Sequence, residues 1–343
     1  MTGSRKMALF VATILMLSHA TAARGGPAKE KSALERLLKG PKVINIIDDF
    51  LAFWNHARDK PLRLQRIFWK RLVEDKHRDF FERAVYRNAD AKQRRVMLEE
   101  FLTRIPPQVE AIREFNGTVH NSISEALVHF REHRFHDYRH QRDIFIGFSF
   151  FRFDGAVRPV GNDNGIPDTL CLGAEVLAGY TPEEVRIAII HEFFHLYHFS
   201  FLFQQPSTFD FRAPHIPLMI EGLAVAGSEE VFPFQPREHY LHFSEVELAT
   251  QQRNLVASAA RYLSLVKRDA PPAEYERWFA KSWSADIPSR GGYLLGYEVA
   301  RRLTTRYTLE QLVRMTPAEL GEHAEEQLGT MSGDRVLLYA NSN

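Results

Sequence analysis

One segment constrains this chain more than any other. Thr181-Pro182-Glu183-Glu184 carries a helix-opening signature: a threonine cap, proline in the first turn and a glutamate three residues after the cap. The helix it opens is apolar on nearly every side, with Ile187, Ile189, Ile190, Phe193, Phe194 and Leu196. Such a helix belongs in the middle of a core rather than on a surface. It nevertheless carries His191, Glu192 and His195. Buried polar groups need partners, so the fold has to bring other polar groups to these three.

Their order, His191-Glu192-Phe193-Phe194-His195, is HExxH. Histidines four apart on a helix lie on one face, one turn above the other, and both imidazoles can reach a single ion. The glutamate between them sits where it can take a proton from water activated by that ion. A site for one Zn2+ per chain follows, with His191 and His195 as ligands and Glu192 as general base. A third protein ligand is required. Glu221, in Met219-Ile220-Glu221-Gly222-Leu223-Ala224 and separated from His195 by 25 residues, is the candidate. Gly222 and Ala224 would let its helix pack closely on the first. Glu229 and Glu230 come next but read as a solvated pair. His198 and His215 are weaker, and His198 is expected to hydrogen-bond to a neighbour.

Together, HEFFH and an EGLA segment resemble the gluzincin metallopeptidases, whose third zinc ligand is the glutamate of such a segment. The later Gly292-Tyr293-Leu294-Leu295-Gly296-Tyr297 adds to the likeness. With its gap near 25, the set is more similar to a group of predicted zinc-dependent proteases than to the aminopeptidase N-type enzymes, whose gap is shorter. The resemblance spans roughly residues 140–310 and implies a mostly helical, zincin-like α+β fold with a small sheet before the HExxH helix. It also implies a tyrosine that stabilises the transition state. Tyr293 is the candidate and Tyr297, one turn on, its competitor. Gly173-Ala174-Glu175 is only a fragment of the aminopeptidase segment that holds a free amine, so aminopeptidase activity is not implied. Val225 stands where some gluzincins place the carboxylate that orients a zinc histidine.

The rest of the chain is read around this centre. Residues 1–22 join Arg5 and Lys6 to an apolar run, Met7 to Leu17, and then to Ser18, Ala20 and Ala22. That order reads as a signal peptide cleaved after Ala20 or Ala22, giving an exported, periplasmic or secreted product with no membrane association. Loss of Arg5 and Lys6 takes the formal charge from +1 to −1, so no global field recruits nucleic acid. Residues 23–31 read as a linker and 32–140 as an N-terminal helical region, with residues 141–343 as the catalytic domain. In the N-terminal region Val43, Ile46, Ile47, Phe50, Leu51 and Trp54 form one helical stripe. Leu64, Ile67, Phe68 and Leu72 form a second; Met97, Leu98, Phe101, Leu102 and Ile105 a third, stopped by Pro106 and Pro107. A fourth runs from Ile112 to Phe130.

Asp143–Phe151 reads as a strand, with Ala156–Val160 pairing back on it as a hairpin. Thr169–Val176 reads as a short strand whose open edge could pair with an extended peptide. His129, His133, His136 and His140 follow helical spacing, but Arg131, Arg134 and Arg139 lie among them, which makes a solvated basic face rather than a second metal site. The lone Cys171 excludes a disulfide framework and reads as a small buried residue. Asn116-Gly117-Thr118 is a glycosylation sequon. No phosphate-binding glycine loop or serine nucleophile elbow is present. The reading is a zinc metallopeptidase acting on peptides or proteins. Its alternative is a non-catalytic zinc-binding scaffold for a partner, which would be expected to lack Glu192 or Tyr293. Oligomeric state is not encoded in any of these features.

Overall fold

The computed structural model describes residues 27–162, 164–204, 212–281 and 287–333. The segment read as a signal peptide lies outside the described residues. The first helix, α1 (Pro27–Leu38), begins inside the stretch expected to be a linker. After it come α2 (Ile47–Ala57), α3 (Leu62–Trp69), α4 (Ala91–Arg104) and α5 (Val109–His133).

A four-stranded sheet has the order β1-β2-β4-β3, with β1 Val43–Asn45, β2 Ile144–Gly147, β3 Gly155–Arg158 and β4 Thr169–Gly173. β1 and β2 run parallel, as do β2 and β4, while β3 is antiparallel to β4. Three expectations are corrected here. Val43 starts strand β1, not the helix of Phe50 and Trp54, because Val43-Ile44-Asn45 pairs with Ile144–Ile146. The segment after Asp154 does not fold back on β2; its partner is β4. And β4 has no open edge: it lies between β2 and β3 and is buried along its whole length, which is why its sequence is a continuous apolar run rather than an alternating one. The outer strands are β1 and β3, and β3 is the one that lies beside β4.

The sheet crosses the boundary expected near residue 140, since β1 comes from the N-terminal region. Aromatic packing crosses it too. Phe148, just after β2, meets Phe50 at 4.4 Å between ring centroids, and Phe150 meets Phe101 at 4.7 Å. In the second stripe Leu64 and Ile67 are exposed and Phe68 and Leu72 half-buried against the core, while the buried side chains here are Trp69, at the end of α3, and Val73 beyond it. The third stripe holds, with Met97, Leu98, Phe101 and Leu102 buried on α4.

The central helix is α6 (Pro182–Leu202), opened by the expected capping box between Thr181 and Glu184. It packs against α5, β3 and β4, and against α7 (His215–Val231). Then come α8 (Glu245–Arg253), α9 (Leu255–Lys267), α10 (Gly291–Leu303) and α11 (Pro317–Ser332). Gly222 of α7 and Gly296 of α10 meet backbone to backbone: a Cβ on Gly222 would lie 2.2 Å from the Gly296 carbonyl. The expected close approach at Gly222 is therefore made to α10. The contact with α6 is made one and a half turns later, where a Cβ on Gly227 would lie 2.2 Å from the Phe194 ring. The result is an α+β molecule, mostly helical, with α6 in the middle. No helix among the described residues is long and apolar enough to cross a membrane.

Candidate metal centre

His191 and His195 leave α6 on the same side, their rings 4.5 Å apart and perpendicular at 89°. Both reach Glu221, which α7 delivers. Nε2 of His191 is 3.2 Å from Glu221 Oε2, and Nε2 of His195 is 3.5 Å from the same oxygen. Ligand atoms of all three lie within 4.8 Å of one another, and among the described residues no other group of three such side chains does. Zinc bonds of about 2.0–2.1 Å in a tetrahedron place neighbouring ligand atoms roughly 3.3 Å apart. The two measured separations match, and two imidazoles with a carboxylate are a donor set that suits zinc. The residues present fit the ion.

The electrostatics agree with the geometry. Burial alone would raise the carboxyl of Glu221, but the charge of His195 and hydrogen bonds from His191 and His195 hold it well below the usual range. Glu221 is thus an anion facing two imidazoles. Glu192 is buried, and its Oε2 has no hydrogen-bond partner. Burial pushes its carboxyl up to about 7, opposed by His195 and reinforced by Glu221. The edge strand runs beside it: a Cβ on Gly155 would lie 2.6 Å from Glu192 Cγ, so glycine is required for β3 to come this close.

These residues line a cleft of about 500 Å3 between β3 and the helices, with Tyr293, Phe199, Ile220 and Phe279 also in its wall. Tyr293 comes from the first turn of α10, one turn before Gly296, so the glycine contact that sets α10 on α7 also sets Tyr293 beside Glu221. Burial and the charge of Glu221 raise its phenol, which stays protonated as a donor. Its ring lies under the guanidinium of Arg290 at 4.4 Å and against Phe279 at 5.8 Å. Tyr297 is elsewhere. Its hydroxyl donates to Glu229 Oε2 at 2.6 Å, and Arg237 covers its ring.

The other sequence candidates have structural partners. Glu229 takes the Tyr297 bond, and Glu230 pairs with Arg134 at 2.8 Å. His215 opens α7 rather than lying in a loop, and bonds the Pro317 carbonyl at 3.1 Å. His198 is fully buried and neither ring nitrogen has a hydrogen-bond partner, against expectation. Cys171 is buried in β4. The histidine stripe is broken, because α5 ends at His133. His136 bonds the Arg131 carbonyl, and His140 is buried on the Tyr138 hydroxyl. Asn116 is tied to Asn45 and Asp48.

Sequence reasoning missed the polar wall opposite the histidines. Asp154, before β3, accepts from the Tyr180 hydroxyl at 2.9 Å and from the Gly155 N–H at 2.8 Å. Burial would raise its carboxyl, but His242 and Arg290 hold it well below the usual range. His242 stacks on Tyr180, with ring centroids 5.0 Å apart. Burial brings its imidazole down to about 4, against the pull of Asp154. His242 and Arg290 both have left-handed backbones, φ 50° and 53°, and both line the cleft with Asp154. Each stands alone in its own stretch of sequence. The only local signal was the Asp154-Gly155 pair, which also reads as an ordinary turn.

Comparison with known proteins agrees with this centre. Residues 158–322 match a family model described as a predicted Zn-dependent protease (DUF2268). That span contains His191, Glu192, His195, Glu221 and Tyr293. The likeness carried by the HEFFH, EGLA and GYLLGY segments therefore holds for this part of the chain. No curated protein and no solved structure matches the chain.

Proposed function

We propose that this chain is an exported zinc metallopeptidase that hydrolyses peptide bonds in the cleft between β3 and α6. The observation that carries the reading is the convergence of His191, His195 and Glu221 beside a buried Glu192 with an unpartnered oxygen. His191, His195 and Glu221 would hold one zinc per chain. A zinc ion held there supplies Lewis acidity and lowers the pKa of a water toward about 7.

The remaining work falls to the chain. Glu192 takes the proton of the attacking water and passes it to the leaving amine, a task suited to a carboxyl lifted by burial to about 7. Tyr293 donates its phenol hydrogen to the oxyanion as the carbonyl becomes tetrahedral. The free edge of β3 offers backbone groups to an extended substrate, and Gly155 brings that edge up to Glu192. Export is supported by the order of residues 5–22, basic, then apolar, then small.

The test is metal analysis and turnover of quenched peptides or denatured protein by the purified chain and by Glu192→Gln. The variant is expected to keep its zinc and lose about 100- to 10,000-fold in kcat. A scaffold would bind zinc, show no turnover in the wild type and leave Glu192→Gln without a phenotype. N-terminal sequencing of exported protein checks the leader, with Thr21 or Ala23 expected as the first residue.

A further inference from the structure

The wall that β3 contributes holds a cation with no acid. Arg158 ends the edge strand and lines the cleft alongside Glu192 and His195. It also lines a second pocket, with Glu82, Arg83, Arg87 and Asn88. Its guanidinium lies over the Phe153 ring at 5.4 Å and donates one bond, 3.0 Å long, to the neutral carbonyl of Val157. Its Nε is buried and has no hydrogen-bond partner. No carboxylate among the described residues lies within ion-pair distance of it.

Most other half-buried arginines of this chain are handled differently; Arg290, in the same cleft, is an exception, with the His242 carbonyl and the Tyr293 ring for partners. Arg66 meets Glu99, Arg94 meets Glu82, Arg134 meets Glu230 and Glu310, Arg186 meets Glu125 and Glu183, and Arg237 meets Glu298. Pairing is what physical chemistry asks of a charge withdrawn from water. Arg158 is left with a neutral carbonyl and an aromatic face, at the border of the cleft. Its surroundings hold further cations: Arg152 and Lys281 lie in the cleft wall and Arg87 in the adjoining pocket, where the one acid, Glu82, is paired with Arg94. The acids of the cleft are Glu192 and Glu221, which belong to the metal centre, and Asp154, which is held by the Tyr180 hydroxyl and the Gly155 N–H.

We propose that Arg158 is the binding site for a carboxylate of the substrate, so that this enzyme selects peptides bearing an acidic group a short distance from the scissile bond. A planar guanidinium with free N–H donors is the side chain suited to take a carboxylate in two parallel bonds. Strand β3 rises about 3.3 Å per residue, so Arg158 stands roughly 10 Å along the edge from Gly155, where Glu192 lies. That is about the length of three residues of an extended peptide paired with the strand. The carboxylate has two possible sources on a peptide, an Asp or Glu side chain and the free C-terminus. This inference rests on the peptidase reading above.

Three peptides of one scaffold separate the sources: one with glutamate, one with glutamine in its place and one with glutamate and an amidated C-terminus. The wild type should favour the acidic peptide over its glutamine counterpart roughly 10- to 100-fold in kcat/KM, the worth of a charge-assisted hydrogen bond. If the C-terminus is the group recognised, amidation alone produces that loss. Arg158→Gln should collapse whichever preference the wild type shows toward one, and Arg158→Lys should keep part of it. A preference ratio unchanged in Arg158→Gln, or no preference in the wild type, overturns the proposal. Calorimetric titration of the same peptides into the Glu192→Gln protein, with and without Arg158→Gln, reads binding without turnover. Discrimination that depends on Arg158 there, with no hydrolysis by the wild type, would retain the carboxylate site and reject the peptidase. Equal binding of all three peptides would reject the carboxylate site.

Discussion

This molecule contains the same local arrangement twice. His191 and His195 sit four apart on α6, and His129 and His133 sit four apart on α5. Helical geometry places both pairs on one face and one turn apart. In α6 the rings stand perpendicular and their Nε2 atoms converge on Glu221 of a different helix. In α5 they stack nearly parallel, 5.2 Å apart at 12°, with Phe232 and Arg186 for company. Burial, His133 and Arg186 together press the imidazole of His129 downward, so its surroundings disfavour added positive charge. Spacing makes a pair of ligands possible. A carboxylate brought from elsewhere in the fold makes it a site.

The comparison breaks first on metal content. His195→Ala or Glu221→Ala should abolish tight zinc binding, while His133→Ala should leave one equivalent per chain. Elemental analysis of the purified proteins reads this directly. Loss of zinc in His133→Ala, or its retention in Glu221→Ala, would mean that convergence on Glu221 is not what distinguishes the two pairs.

The two tyrosines of α10 repeat the contrast. Tyr293 and Tyr297 also share a helix face at a spacing of four, but one lines the cleft and the other bonds Glu229. Tyr293→Phe removes only a hydroxyl and is expected to lower kcat roughly 10- to 1,000-fold, with little change in KM or zinc. Tyr297→Phe should instead cost about 1–2 kcal/mol of stability through the lost bond to Glu229, with kcat near wild type. Steady-state kinetics paired with denaturant unfolding separates them. The opposite pattern would move the oxyanion donor one turn along α10.

What was legible in sequence follows from this. The cap of α6, its buried character and the HExxH face are local features, set by residues within a few positions of one another, and they could be read. Glu221 was found because glycine and small residues beside a lone carboxylate mark a close helix contact, although the partner proved to be α10 and not α6. Strand β1 was missed because Val43-Ile44 runs in phase with the apolar stripe of α2, and only pairing with Ile144–Ile146 makes it a strand. Asp154, Arg158, His242 and Arg290 were missed because they are single residues, distant in sequence, that only the fold gathers around one cleft. Their left-handed backbones and orphaned donors exist only in the folded chain.

Buried carboxyls offer a last pairing. Glu192 and Glu175 are both pushed up to about 7, desolvation being the largest cause in each. Glu192 lies in the cleft. Glu175 accepts bonds from the Ser149 hydroxyl at 2.8 Å and the Phe151 N–H at 2.7 Å. It thereby holds the turn in which Phe150 and Phe151 both have positive φ, 56° and 61°, on the way from β2 to β3. Its folded value lies above the unfolded one of about 4.5, so the folded state binds more protons between those values. Stability from this group is therefore full below about pH 4.5, falls as pH rises toward about 7 and levels off above it. Between pH 5 and 7 the loss should be on the order of 2 kcal/mol. Glu175→Gln keeps an oxygen for Ser149 and Phe151 but cannot ionise, so its urea midpoints should keep only the part of the slope that Glu192 contributes, about 2 kcal/mol less loss than the wild type, while turnover at pH 7 follows wild type. If the wild type and Glu175→Gln lose stability in parallel over this range, the slope comes from another group. If Glu175→Gln abolishes turnover in a folded protein, burial of Glu175 serves the chemistry as well as the turn, and the contrast with Glu192 fails.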